Sequence, residues 1–300
     1  MTTATLTRAG GSTATGAPRR GFAGRLADRF GGGVLQVGLV LLALFWLIPT
    51  LGLLVVSLRN EEANNASGWW HIFTAPAELT LSNYSNLLAT GFTSSFWNTV
   101  FITVPSTILV ITIAALAAYA FAWIDFPGRD ALFLIVVALL VVPIQIALIP
   151  IARLYGALNI FGSIPGVVLF HVAFGLPFAI FLLRNFFVGI PKSLLEAARM
   201  DGASEWRIFT TVVFPLAKPA VASLGIFQFL WVWNDLLVAL VFADTANQPM
   251  TKALQSQMRQ FGTNVDILAP GSFLSVIVPL ILFFAFQRYF VQGLLAGSVK

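Results

Sequence analysis

The chain has 300 residues, of which 58% are hydrophobic and only 10% charged, a composition too apolar for a soluble domain and suited to a membrane protein with several spans. It has no cysteine, which excludes disulfides and thiolate metal sites. The formal net charge of +5 is not gathered into a basic cluster interleaved with aromatics, so nucleic acid is not an expected partner.

In chain order, residues 1–33 read as a Gly-, Ala-, Thr- and Arg-rich basic tail without apolar periodicity, expected to be disordered. Val34 to Leu58 is too long for the apolar region of a signal peptide, and no small-residue cleavage site follows it, so it is read as a retained first span. At about 1.5 Å per residue it covers roughly 37 Å, enough for a tilted crossing of a hydrocarbon core of about 30 Å. From Arg59 to Ser95 the composition turns polar, with Glu61, Glu62, Asn64 and Asn65, and with Trp69 and Trp70 where interfacial aromatics are expected. Within this extramembrane loop, Leu81 to Ala89 reads as a short surface helix capped by Ser82.

The second span is expected at about Phe96–Ile124, followed by a tight turn in DFPGRD, Asp125 to Asp130. The third, Ala131–Ile151, is broken by Pro143 and Pro150 with Gln145 between them, which lets the helices bend around a cavity there. The fourth is placed at Ile164–Leu183, the fifth at Pro219–Phe242, and the sixth at Phe273–Phe290 after an outer loop from Ala243 to Gly271. If the spans alternate and the N-terminus is cytoplasmic, thirteen of the 17 Lys and Arg lie inside; only Arg59, Arg153, Lys252 and Arg259 lie outside. That orientation puts both termini and the polar segment of about residues 191–218 in the cytoplasm.

This segment is the long polar-rich connection between two spans. Pro191 or Ser193 can start a helix, Gly202 can take φ > 0, and Ser204 can cap a second helix. Trp206, Phe209 and Val213 then form an apolar stripe suited to a groove on another protein. None of Lys192, Lys218, Lys252 and Lys300 is preceded by Gly, so the chain has no phosphate-binding loop of the GxxxxGK[ST] form, and ATP hydrolysis would fall to a separate subunit. His71 and His171 are isolated, and no metal site is expected. His171, in mid-span four, either faces a solute path or is hydrogen-bonded within the bundle. In span five Gln228, Trp231 and Asp235 recur at helical spacing with Asn234 beside them, and an ionised Asp within a span must face protein or water. These groups either line a sugar path, with Trp231 stacking on a pyranose face, or pin span five to its neighbours; a proton relay is weaker, because Asp235 is the one acid placed within a span.

Glu196, Ala197, Ala198, then Asp201, Gly202, Ala203, and then Phe214, Pro215 and Pro219 resemble the cytoplasmic loop of permease subunits of binding-protein-dependent ABC importers. The runs Ala173 to Phe187, Phe229 to Leu240 and Gln287 to Lys300 look like the carbohydrate-uptake branch of that family, of the maltose permease G type. The SGWW run from Ser67 to Trp70 is similar to the α-glucoside subgroup. The resemblance implies an all-α fold, the six-helix type I ABC importer permease, in a bacterial inner membrane. It implies that Glu196, Ala197, Ala198, Asp201, Gly202, Ala203, Trp206, Phe209 and Pro215 couple to an ATPase, and that the tail Gly297, Ser298, Val299 and Lys300 contacts it. The implied partners are a second permease of the maltose F type, two ATPase subunits of the maltose K type and an extracytoplasmic sugar-binding protein. The implied cargo is an oligosaccharide or an α-glucoside such as maltose or trehalose. On this reading the chain is not an enzyme and binds no cofactor, ATP and Mg²⁺ residing on the partner ATPases. An ion-coupled secondary transporter would call for charges in several spans and an inverted repeat. A membrane-embedded enzyme would call for paired carboxylates, whereas Asp125 and Asp130 read as solvated helix ends.

Overall fold

A computed structural model describes residues 22–258 and 264–296. Most of the expected N-terminal tail, and Gly297 to Lys300, lie outside the described residues. The chain divides into two compact units, residues 1–51 and 52–300. The first holds most of helix α1, Phe22–Leu58, which begins twelve residues before the span expected from Val34. The described side chains from Leu35 to Pro49 are all exposed, although nearly all are apolar, as in a helix whose solvent is the bilayer or another chain.

The second unit contains all the remaining helices. After α2 (Glu61–Ala66) and two short 3₁₀ turns come α3 (Ser82–Ala89) and α4 (Phe92–Trp123). Then follow α5 (Arg129–Leu139), α6 (Ile144–Ala157) and α7 (Ile164–Val188). The chain continues through α8 (Lys192–Met200), α9 (Glu205–Ile208), α10 (Phe214–Trp233), α11 (Leu237–Phe242), α12 (Met250–Gln257) and α13 (Val265–Ala296). Among the described residues five helical stretches are long and apolar enough to cross a membrane, and the pair α5–α6 makes a sixth when counted as one broken span.

The expected break in the third span is sharp, with α5 and α6 meeting at 101°. Pro143 precedes the second of them with ψ 132°, and proline has no N–H with which to continue α5. The continuous helical stretch that carries the fifth span starts at Glu205, ahead of the expected Pro219, and ends at Trp233 rather than Phe242. After the single α-turn of α9 it passes through a π-helix at Phe209–Val213: Pro215 cannot donate to the Thr211 carbonyl, and the Phe214 N–H closes on Phe209 instead. Ser82 does not cap α3; it is the first helical residue, and its N–H donates to Thr80 Oγ1 at 3.1 Å.

The core is built where α4, α7 and α10 meet. Ala114, Ala115 and Ala118 are buried on α4 and allow close approach of helices, as small residues do in membrane bundles. Leu183 and Phe187 of α7 and Ala217 and Leu224 of α10 fill the same cluster, which extends without interruption into the α8–α9 connection through Leu195 and Ile208. The loop between α1 and α4 is organised by Arg59, fully buried, whose guanidinium donates to Glu78 Oε2 at 2.6 and 2.9 Å, to the Ala63, Ser67 and Gly68 carbonyls and to Ser67 Oγ.

Candidate functional site

Two groups of residues carry the functional reading, and they lie on α10 and on the connection just before it. In the connection, α8 ends at Met200, Gly202 turns the chain with φ +79°, and the Ser204 hydroxyl accepts the Arg207 N–H at the start of α9. The helix, glycine turn and capped second helix read from the sequence are therefore in place. The expected docking stripe is not. Phe209 is only 7% exposed and Val213 is fully buried, both packed with Tyr119 and the α4–α7–α10 cluster; Trp206, at 65%, is the member of the stripe that stays outside. A stripe at helical spacing marks one face without saying which neighbour owns it, and here the core of this chain owns most of it.

The outward face of the connection is instead made by Glu196, Ala197, Met200, Asp201, Gly202 and Trp206, with Pro215 exposed further along. Glu196 pairs with Lys192 at 3.1 Å across one helical turn. Ala198 and Ala203 are half-buried against the core cluster and so support the turn from beneath. Opposite them, Glu205 gathers three groups. Arg199 Nε donates to its Oε1 at 2.8 Å, Arg199 Nη2 donates to its Oε2 at 3.3 Å, and the Tyr119 hydroxyl donates to Oε2 at 2.6 Å. Arg199 Nη2 also donates to the Trp123 carbonyl, 3.3 Å away, in the last turn of α4. The hydrogen bond that Arg199 donates to Glu205 is the largest influence raising the Arg199 pKa above its ordinary value. Arg199 and Tyr119 were not among the residues singled out from the sequence. Opposite charges flanking a glycine turn, Arg199 before it and Glu205 after it, were a readable signal; Tyr119, 86 positions before Glu205, gave none.

On α10 the expected polar face is split. Gln228 and Trp231 remain together and line a cavity of about 300 Å³ with Phe174, Gly175, Phe178, Leu224 and Phe227. Gln228 is 5% exposed, its Nε2 has no hydrogen-bond partner among the described residues, and it lies directly against Gly175, where a methyl group would stand 2.8 Å from Nε2. Asn234 and Asp235 leave this face because the helix stops there. The Asn234 amide folds back to the Leu230 carbonyl at 2.8 Å, and the Asp235 carboxylate accepts the N–H groups of Val238 and Ala239 at 3.3 and 3.1 Å, capping α11. Short polar side chains that bond nearby backbone in this way favour caps over helix interiors. Asp235 also lies 3.7 Å from His171 Nε2, and the Trp231 ring meets the His171 ring edge-on at 5.2 Å. Gln228 and Trp231 therefore share the cavity, whereas Asp235 is held at the start of α11 beside His171. His171 is buried and is turned toward Asp235 and Trp231.

The model of the family described as binding-protein-dependent transport system inner membrane component matches residues 93–296. The osmoprotective compounds uptake permease protein GgtD of Synechocystis sp. is 49% identical over 89% of this chain and 91% of its own length. The alpha-glucoside transport system permease protein AglG of Rhizobium meliloti is 47% identical over 82% of this chain and 67% of its own. Among solved structures, a bacterial ABC transporter involved in the import of the acidic polysaccharide alginate superimposes with a TM-score of 0.74 at 25% identity, over 88% of this chain and 98% of that one.

Proposed function

The chain belongs to the family of binding-protein-dependent transport system inner membrane components, the permeases of ABC importers, and from that membership we propose that it carries a neutral α-glucoside or short oligosaccharide, driven by ATPase subunits that dock on the α8–α9 connection. It is a sugar-importer permease embedded in the membrane by several helices, and an ion-coupled secondary transporter is not favoured. The observation that carries the coupling reading is the two-sided build of the connection: Leu195, Ile208, Phe209 and Val213 anchor it in the same core as the spans, while Glu196, Ala197, Met200 and Trp206 stand outside as a face for a partner. The Lys and Arg distribution supports a cytoplasmic location for that face. Glu196, Ala197, Asp201, Gly202 and Trp206 then form the contact, and Phe209 acts from beneath it.

The cavity supports a neutral cargo. It is walled by aromatic side chains and one amide, with no charged residue among those lining it, and its volume sits at the lower end of the roughly 300–1,000 Å³ typical of small-molecule sites. Trp231 supplies a flat face for a pyranose ring, and Gln228 offers both a donor and an acceptor to hydroxyls. The names of the relatives GgtD and AglG favour osmoprotective compounds or α-glucosides as the cargo class. In the working cycle a second permease completes the path, an extracytoplasmic binding protein delivers the sugar, and ATP with Mg²⁺ binds on two ATPase subunits. ATP favours the state in which the ATPases are closed, the connection follows them, and the bundle passes between inward- and outward-facing states.

The test is to tag this chain at its N-terminus, purify it from membranes in mild detergent, identify the co-purifying proteins by mass spectrometry and assay ATP hydrolysis. Recovery of a second permease and an ATPase supports the reading. An intact, monodisperse chain that brings neither contradicts it.

A further inference from the structure

From the geometry around Glu205 we infer that this carboxylate is a positioning residue that locks the α8–α9 connection and the end of α4 into one rigid lever, so that a push on the connection is delivered to α4 rather than absorbed at the Gly202 turn. The inference rests on the coupling role proposed above. Four observations support it. Glu205 and Arg199 lie on opposite sides of Gly202, and their two-pronged contact at 2.8 and 3.3 Å closes the turn that the glycine would otherwise leave free. The same carboxylate accepts the Tyr119 hydroxyl at 2.6 Å, reaching a different span. Arg199 extends the link to the Trp123 carbonyl at 3.3 Å, at the helix end where orphan carbonyls and the dipole favour a cation. Beneath the polar link, the rings of Tyr119 and Phe209 meet at 5.3 Å, so an apolar contact joins the same two segments.

α4 is the right recipient. Its buried residues Val110, Ala114 and Ala118 pack in the cluster with Leu183 of α7 and Leu224 of α10, and α10 also lines the cavity through Leu224 and Gln228. The chain itself joins the connection to α7 at its start and to α10 at its end. Glu205 adds a polar link to α4, so the connection is held to all three helices of the cluster. Charge-assisted hydrogen bonds suit this task because they fix direction as well as distance.

The experiment uses the complete complex in proteoliposomes and measures both sugar uptake and ATP hydrolysis for the parental chain and for Glu205→Gln, Tyr119→Phe and the exchange Arg199→Glu with Glu205→Arg. Glu205→Gln is expected to keep its ATPase at parental stoichiometry while the sugar moved per ATP falls about tenfold, within the usual range of coupling effects. Tyr119→Phe is expected to lose less, since the arginine contact survives, and the charge exchange is expected to recover part of the loss. A second readout does not depend on turnover. The parental chain lacks cysteine, so spin labels at Ser193→Cys and Asp125→Cys report on α8 against the residues just beyond α4. Their separation should be the same without nucleotide and with ATP in the parental complex, and should change with ATP in Glu205→Gln.

Parental coupling in both Glu205→Gln and Tyr119→Phe overturns the inference, as does a parental label separation that already changes with ATP. Loss of the ATPase from the Glu205→Gln complex also overturns it, because Glu205 would then shape the docking face rather than transmit. A parental chain that captures no ATPase defeats the importer reading itself, and this inference falls with it.

Discussion

Gly202 holds φ at +79° with nothing within 4 Å of the position a β-carbon would take, so the cost of a side chain there is in the backbone and not in a clash. For most residues that cost is about 1–2 kcal/mol, and Asn and Asp tolerate the region best. Gly202→Asp therefore leaves the fold standing but adds a charge beside Asp201 on the proposed contact face, and sugar uptake is expected to fall sharply at an unchanged level of protein in the membrane. Gly202→Asn has the same shape without the charge and should retain most of the uptake; equal loss in both would assign the effect to the backbone. In the cavity the controlling residue is Gly175, because an added methyl would sit 2.8 Å from Gln228 Nε2 and force the amide aside. Gly175→Ala is expected to raise the KM for sugar about tenfold while the basal ATPase rate holds, roughly the loss of one well-placed hydrogen bond in a desolvated site. Trp231→Ala should do likewise, and Trp231→Phe should keep part of the stacking surface.

Among the elements, the loop between α1 and α4 owes its shape to the buried Arg59 cation. With the Arg59 guanidinium fully buried and Glu78 its carboxylate partner, Glu78→Ala strands a charge and is expected to cost about 3 kcal/mol, visible as a lower unfolding temperature of the detergent-solubilised protein and faster cleavage between residues 60 and 80. Nothing in the local sequence announced this arrangement, since Arg59 and Glu78 are 19 positions apart and the loop reads simply as polar. The spans were legible because apolar length is set by the bilayer, and the turn at Gly202 was legible because glycine and a serine cap are local signals. The end of the fifth span was not, because the apolar run continues through LLVALVF after the break, and only the backbone hydrogen bonds of Asn234 and Asp235 stop the helix. The inward turn of Phe209 and Val213 was likewise decided by packing against Tyr119, a contact between segments distant in sequence.

At the scale of the whole molecule, the α4–α7–α10 cluster joins the two groups of residues into one device. Leu195 and Ile208 beneath the connection and Leu224 beside the cavity belong to one continuous core, so displacement at one end is felt at the other through packed side chains that resist compression. On the proposed function this chain is the membrane half of an ATP-driven importer, with the chemical energy supplied from outside it. The most direct measurement is uptake of labelled α-glucosides by proteoliposomes that contain the purified complex and its binding protein, with ATP supplied on the side of the α8–α9 connection or withheld. Accumulation against the sugar gradient is expected only with ATP, and it should be lost in Gly202→Asp. Uptake that proceeds without ATP and follows an imposed proton or sodium gradient would contradict it.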